Sequence, residues 1–329
     1  MRILKRLAPY WPYVAVVIVA AVSPLIFSSA YHRSVLILVG IYGIMAVGLS
    51  LLMGYAGQVS LGHAAFYGLG AYATAIGTTR YGLNPWLCIL LGMILTGVVA
   101  WLLGKPTLKL HGHYLAMATL GIGIIVQVMF NEGGDFTGGF SGISSIPRLQ
   151  IGAFEFRGSL RFCYLVWTVL LGVLALSSNI VNSRIGRALR AIHDSEVAAR
   201  SCAVDVSNLK VMIFVVSAVF AAISGSLYAH HITFISPDPF GFAFSIILVV
   251  MVLLGGSRNI WGALSGAAII TILNQTLIKL ADRIPALSGL DVVLFGALLI
   301  VGVIYMPEGL AGLLKRERRE TEETKEQAS

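Results

Sequence analysis

The sequence predicts an all-α, polytopic membrane protein of about ten transmembrane helices, or eight if two weaker segments are discounted, and three observations carry that prediction. Of the 329 residues, 57% are hydrophobic and only 12% charged, against roughly 25% charged in an average soluble protein. The mean hydropathy is +0.86. Apolar runs near membrane-spanning length recur from end to end. The 36 glycines suit helices that pack closely in lipid.

In chain order the spans fall at about 13–29, 34–53, 61–78, 85–103, 114–130, 162–178, 211–231, 241–256, 260–278 and 290–306. The first follows Arg2, Lys5 and Arg6, so it resembles a signal peptide. Tyr10 and Trp11 at its edge instead favour a first membrane helix with an interfacial anchor. The segments 61–78 and 241–256 are the weakest, because Gly-rich turns flank both, and each is open to being broken or re-entrant. With the N-terminus in the cytoplasm and alternation thereafter, Arg33, Arg80, Arg148, Arg157, Arg161, Lys279 and Arg283 lie outside. The other 16 of the 23 Lys and Arg residues lie inside. The positive-inside rule thus puts both termini in the cytoplasm. Residues 1–312 form the membrane domain and 313–329 a charged cytoplasmic tail. The external loop 131–161, rich in Gly and Ser, reads as irregular with room for a short strand or helix.

Several chemistries are disfavoured. No Asp or Glu stands in the middle of a predicted span, which argues against a proton- or sodium-coupled carrier. It also leaves no paired carboxylates and no nucleophile triad, so no catalytic residue is assigned. His63, His111, His113, His230 and His231 have no acidic or Cys ligand at helical spacing, and no metal site or cofactor is expected. Cys88, Cys163 and Cys202 are isolated and read as structural. The charge of +8 follows membrane topology, with no nucleic-acid partner implied.

Two stretches stand out. Gly54–Tyr72, GYAGQVSLGHAAFYGLGAY, is dense in glycine and sets Gln58, Ser60 and His63 beside an apolar helix. Irregular backbone at membrane depth is tolerated where protein buries it or a cavity wets it, and broken helices line transporter pathways. Gly54, Gly57, Gln58, Ser60, Gly62 and His63 are therefore pathway candidates, with a glycine-packed helix pair as the alternative. Gly255 and Gly256, in a second Gly-rich segment GGSRNIWGALSG, join them as a loose echo. The other stretch is the basic, amphipathic insert 182–205. Ser183 can cap a helix with apolar positions Ile185, Ala188, Leu189 and Ile192, and Asp194 can cap a second one. Glu196 and Arg200 form an i,i+4 pair in the favoured order, and Ala198 and Ala199 leave a surface another protein could approach. Taken by itself, the insert either docks a soluble protein or lies on anionic lipid.

Gly54–Tyr72, the insert RIGRALRAIHDSEVAARS and GGSRNIWGALSGA together resemble the permease subunits of branched-chain amino-acid ABC importers, LivM type, over roughly residues 35–312. EVAARS matches the Glu-x-Ala-Ala element by which such permeases engage their ATPase. The resemblance implies an inner-membrane protein that pairs with a second, related permease. It also implies two cytoplasmic ATPases, a periplasmic substrate-binding protein and an amino-acid substrate, with urea or short amides as the alternative cargo. Arg187, Arg190, Ile192, Asp194, Glu196, Ala198, Ala199 and Arg200 would dock the ATPase. The chain has no GxxxxGK[ST] phosphate loop, so coupling energy would arrive through the insert. One departure stands out: the family tends to place Gly after the alanines, and here Ser201, Cys202 and Ala203 follow, which puts the tight turn in question.

Overall fold

The computed structural model describes residues 29–110, 112–151, 154–156 and 158–283, with single positions at 16, 23 and 296. It is built from helices. α1 spans Ala30–Ser50 and runs on through a π-helical turn, Leu51–Tyr55. α2 (His63–Thr79) and α3 (Pro85–Thr107) follow, then α4 (His113–Glu132) and the single turn α5 (Gly134–Thr137). After a two-residue hairpin, β1 (Gln150–Ile151) and β2 (Phe154–Glu155), come α6 (Ser159–Asn182), α7 (Arg184–Asp194) and α8 (Glu196–Ser201). The set closes with α9 (Val206–Ile232), α10 (Phe242–Gly255) and α11 (Ile260–Arg283).

Among the described residues, six helices are long and apolar enough to cross a membrane. Eight of the ten predicted spans fall on described helices. The spans at 13–29 and 290–306 lie outside the described residues apart from single positions, as does the tail 313–329. The two weak segments are indeed the short ones, with 17 residues in α2 and 14 in α10. At about 1.5 Å per residue, neither crosses a 30 Å hydrocarbon layer alone. The loop after α4 is irregular, as expected, and is pinned by a paired backbone bridge between Ile143 and Ile235.

The bundle is organised around α1 and α9. Most of the α1 span is buried, 83% of it, whereas α4 has 22% buried and lies at the periphery. α9 packs against α1, α2 and α3, and α1 packs also against α6 and α11. Lipid supplies little hydrophobic drive between helices, so close approach through small residues does the work. At the α2–α9 crossing a Cβ on Gly225 would overlap the Tyr67 carbonyl, and one on Gly70 would overlap that of Ala222. The same crossing carries a Thr74–Ser226 hydroxyl bond of 2.8 Å. Gly225→Ala is therefore expected to force the two backbones apart and cost about 3 kcal/mol, seen as a lowered thermal midpoint of the purified chain. An unchanged midpoint would mean that this crossing is not a packing constraint.

Candidate functional site

The helix line breaks between α1 and α2. The π turn tightens into Gly57, whose φ of +69° only glycine adopts readily, and helix resumes at His63. A break in lipid must find partners for its backbone donors, and here hydroxyls from other helices supply them. Leu61 N–H donates to Thr119 Oγ1 on α4 at 3.0 Å, and Ala64 N–H to Ser245 Oγ on α10 at 3.1 Å. His63, fully buried, bonds Ser60 Oγ through Nδ1 at 3.0 Å and Ser217 Oγ on α9 through Nε2 at 2.7 Å. Gln58 is 3% exposed, and neither of its amide atoms has a partner.

The insert forms the two helices read from its sequence, α7 and α8. Ser183 caps α7, accepting from Ile185 N–H at 3.1 Å and Gly186 N–H at 3.4 Å. The second cap is corrected: Ser195, not Asp194, accepts from Ala198 N–H, and Asp194 ends α7. Both residue types cap well, and the extended backbone needed for a cap falls one residue later, at Ser195. The turn after α8 is made without glycine. Val204 N–H bonds Ala199 O and Ala203 N–H bonds Arg200 O, with Ala203 at φ +57°. This is the 6→1 and 5→2 pattern of a Schellman cap. Ile192, Ala199 and Val206 form a small buried cluster with Val204 and Leu209 packed against it, and this holds the strained alanine in place.

The docking candidates divide by direction. Ile192 and Ala199 face inward, at 2% exposure each. Glu196 is tied to its own chain: it pairs with Lys210 on α9, whose side chain is 4% exposed, and more loosely with Arg200 at 3.8 Å. Arg187, Arg190, Asp194, Ala198 and Arg200 remain on the surface. The sequence reading missed three participants. Lys210 lies 14 residues from its partner, outside any helical spacing. Arg258, in the turn between α10 and α11, holds Asp194 at 3.2 Å. Val197, at 78% exposure, is an apolar side chain presented to solvent on α8, and the alternation of EVAA was its only signal.

The break and the insert meet. A cavity of about 80 Å³ is lined by Gly54, Tyr55, Arg190, His193, Asp194 and Arg258. A Cβ on Gly54 would overlap the Ser257 carbonyl, and one on Gly57 would press on the His193 ring at 3.0 Å. Burial, with Arg258 adding to it and Asp194 opposing it, lowers the His193 pKa below its usual value. The ring thus stays neutral in this cationic corner at neutral pH. Gly255 and Gly256 lie at the root of the Ser257–Arg258 turn, where a Cβ on Gly255 would overlap Gly262 O. Gly62, by contrast, abuts Thr119 in the interior. The pathway candidates thus form two groups, an interior one at the break and a junction under the insert.

Residues 32–303 match the model of a family described as the branched-chain amino acid transport system / permease component. The chain is 33% identical over 294 residues to the high-affinity branched-chain amino acid transport permease LivM of Salmonella typhimurium, covering 82% of this chain and 67% of that protein. It is 26% identical to a probable LivM of Methanocaldococcus jannaschii, covering 84% and 92%. It is also 26% identical to the LivH permease of Salmonella typhimurium, covering 82% and 91%. No solved structure matches.

The left-handed alanine gives a direct test of the turn. Ala203→Gly relieves a strain of about 1 kcal/mol and is expected to slow hydrogen exchange at the Val204 amide. Unchanged or faster exchange would mean that the turn is not strained.

Proposed function

The chain belongs to the family of branched-chain amino acid transport permease components, and we propose on that footing that it is a membrane permease subunit of an ATP-binding-cassette importer. Its cargo is a branched-chain or related amino acid, carried inward across the bacterial plasma membrane. It works as one half of a heterodimer with a second permease. Similarity to both LivM and LivH supports this pairing, since two related folds can face each other about a pseudo-twofold axis. A periplasmic binding protein delivers the substrate, and two cytoplasmic ATPases, one per permease insert, provide the energy. The observation that carries the reading is the insert itself: a two-helix, charged element outside the bundle core, in a chain of this family.

The geometry suggests how force would pass. An ATPase would grip the outer face of α8, with Val197 as the apolar anchor and Arg187, Ala198 and Arg200 around it, since anchors of this kind dominate docking energy. The Glu196–Lys210 pair ties α8 to the start of α9. Two turns further along α9, Ser217 holds His63, and His63 holds Ser60 in the break. From the other side, α7 presses His193 onto Gly57. A displacement of the insert therefore reaches the break by two rigid routes, and closure of the ATPases would tilt α9 and re-aim the broken helix between inward- and outward-facing states. In this reading the insert and both termini lie in the cytoplasm.

Reconstitution into proteoliposomes with the partner subunits tests the class: leucine uptake is expected to require the ATPases and ATP, and uptake without them would refute it. The docking face is tested separately by Val197→Asp. Because Val197 is exposed, this change should leave the fold intact and reduce ATPase co-purification about tenfold or more. Undiminished co-purification would remove α8 from the interface.

A further inference from the structure

An open groove of about 570 Å³ runs along α3 from Leu90 through Ile94 and Gly97 to Trp101, with Val219 of α9 as its second wall. No charged or hydroxyl side chain lines it. Gly97 sets its floor: a Cβ there would meet only valine methyls of α9, Val219 Cγ2 at 3.4 Å and Val215 Cγ1 at 3.8 Å. Leu90 and Trp101 are separated by about three helical turns, roughly 16 Å. One leaflet of a bilayer has about 15 Å of hydrocarbon, half of the 30 Å core. The groove therefore has the depth of one leaflet and the chemistry of an acyl chain.

Its two ends differ. Gly97 faces Val219, and a Cβ on Gly104 would press on Phe214 at 3.1 Å. α3 and α9 thus run antiparallel, and the Trp101 end of the groove lies toward the start of α9, where the insert joins. At that end the Lys105 ammonium sits 3.7 Å from the centre of the Trp101 ring, and Lys109 follows in the turn after α3. Both lysines are exposed. Among the described residues neither has a carboxylate within ion-pair distance. The chain carries no Asp or Glu before Glu132, and the described acidic residues of the insert are engaged elsewhere. Glu196 pairs with Lys210, Asp194 with Arg258, and Asp205 accepts from Asn208.

We propose that this groove is a binding site for an anionic phospholipid. One acyl chain lies along Leu90, Ile94 and Gly97 against Val219. The ester region sits at the Trp101 ring, an aromatic of the kind that prefers the membrane interface. The phosphate is held by Lys105 and Lys109. Charge complementarity selects the occupant, because a neutral chain or a purely apolar protein surface would leave both ammonium groups without a counter-charge. The outer face of α3 also disfavours a packed helix: Leu87, Leu91, Leu95 and Leu102 are bulky and exposed, whereas close helix approach in lipid uses small residues. In the importer reading this end is cytoplasmic, so the lipid belongs to the leaflet that carries most of the anionic headgroups; the binding itself does not depend on that reading.

The test reads Trp101 directly. The purified full chain is reconstituted in phosphatidylcholine vesicles containing increasing fractions of dibrominated phosphatidylglycerol or dibrominated phosphatidylcholine, whose bromines quench nearby indoles. The Trp101 contribution is isolated by subtracting Trp101→Phe. Phosphatidylglycerol is expected to reach half-quenching at a mole fraction about fivefold or more below that of phosphatidylcholine. Lys105→Gln with Lys109→Gln, both at exposed positions, should leave the thermal midpoint unchanged and bring the two curves together. Gly97→Leu, which fills the floor, should weaken quenching by both lipids. Equal quenching of the wild-type chain by the two lipids would mean ordinary boundary lipid and overturn the proposal. So would a preference that survives the double lysine change, or quenching that Gly97→Leu leaves untouched. Loss of all Trp101 quenching when a second permease is bound would assign the face to protein instead.

Discussion

A lysine side chain with 4% exposure needs a carboxylate for its ammonium group, and Lys210 finds one in Glu196 across the turn from α8 to α9. Much of the rest depends on that pair. Removing Glu196 would strand the buried Lys210 charge, whereas α8, six residues long, has too few internal hydrogen bonds to stand alone. The ion pair, the Schellman turn at Ala203 and the small Ile192–Ala199–Val206 cluster together turn a short surface helix into a rigid extension of α9. Glu196, which a surface reading would place at a partner interface, is committed internally, and the faces left for a partner are those of Val197, Ala198 and Arg200.

The rigidity matters because of what α9 touches at its far side. The break after α1 is tolerated in a membrane because Thr119 and Ser245 take its Leu61 and Ala64 N–H groups and Ser60 and Ser217 hold the His63 ring. One of those partners, Ser217, rides on α9. The break's geometry is therefore tied to the position of the same helix that holds the insert. The junction under α7, where Gly54 and Gly57 admit Ser257 and His193 without a side chain between, closes the second route. Glycine is needed at these two positions for close approach, and at Gly57 also for its positive φ.

Much of this was legible in the sequence. Apolar runs located the helices because burial in lipid demands length, and the two runs flanked by glycine were the two that proved short. Ser183 was readable as a cap, since an acceptor before an amphipathic run has one obvious use. The Asp194–Ser195 cap was misread by one residue because both side chains can accept and the choice rests on local backbone conformation. Lys210 escaped notice because pairing across a turn leaves no periodic trace. The absence of glycine at Ala203 placed the turn in question, yet the turn forms, because tertiary packing supports an alanine that local propensity disfavours. The groove from Leu90 to Trp101 was invisible, as its second wall, Val219, arrives only once α9 is folded against α3.

The central claim is that the Glu196–Lys210 pair transmits the insert's displacement to α9, and a charge-swap cycle tests it most directly. ATP-driven leucine uptake by the assembled transporter would be measured for Glu196→Lys, Lys210→Glu and the double exchange. Each single reversal should abolish uptake, by placing like charges together, and the exchange should restore a large fraction of it. An exchange no more active than the single variants, or single variants with uptake unchanged, would contradict the account.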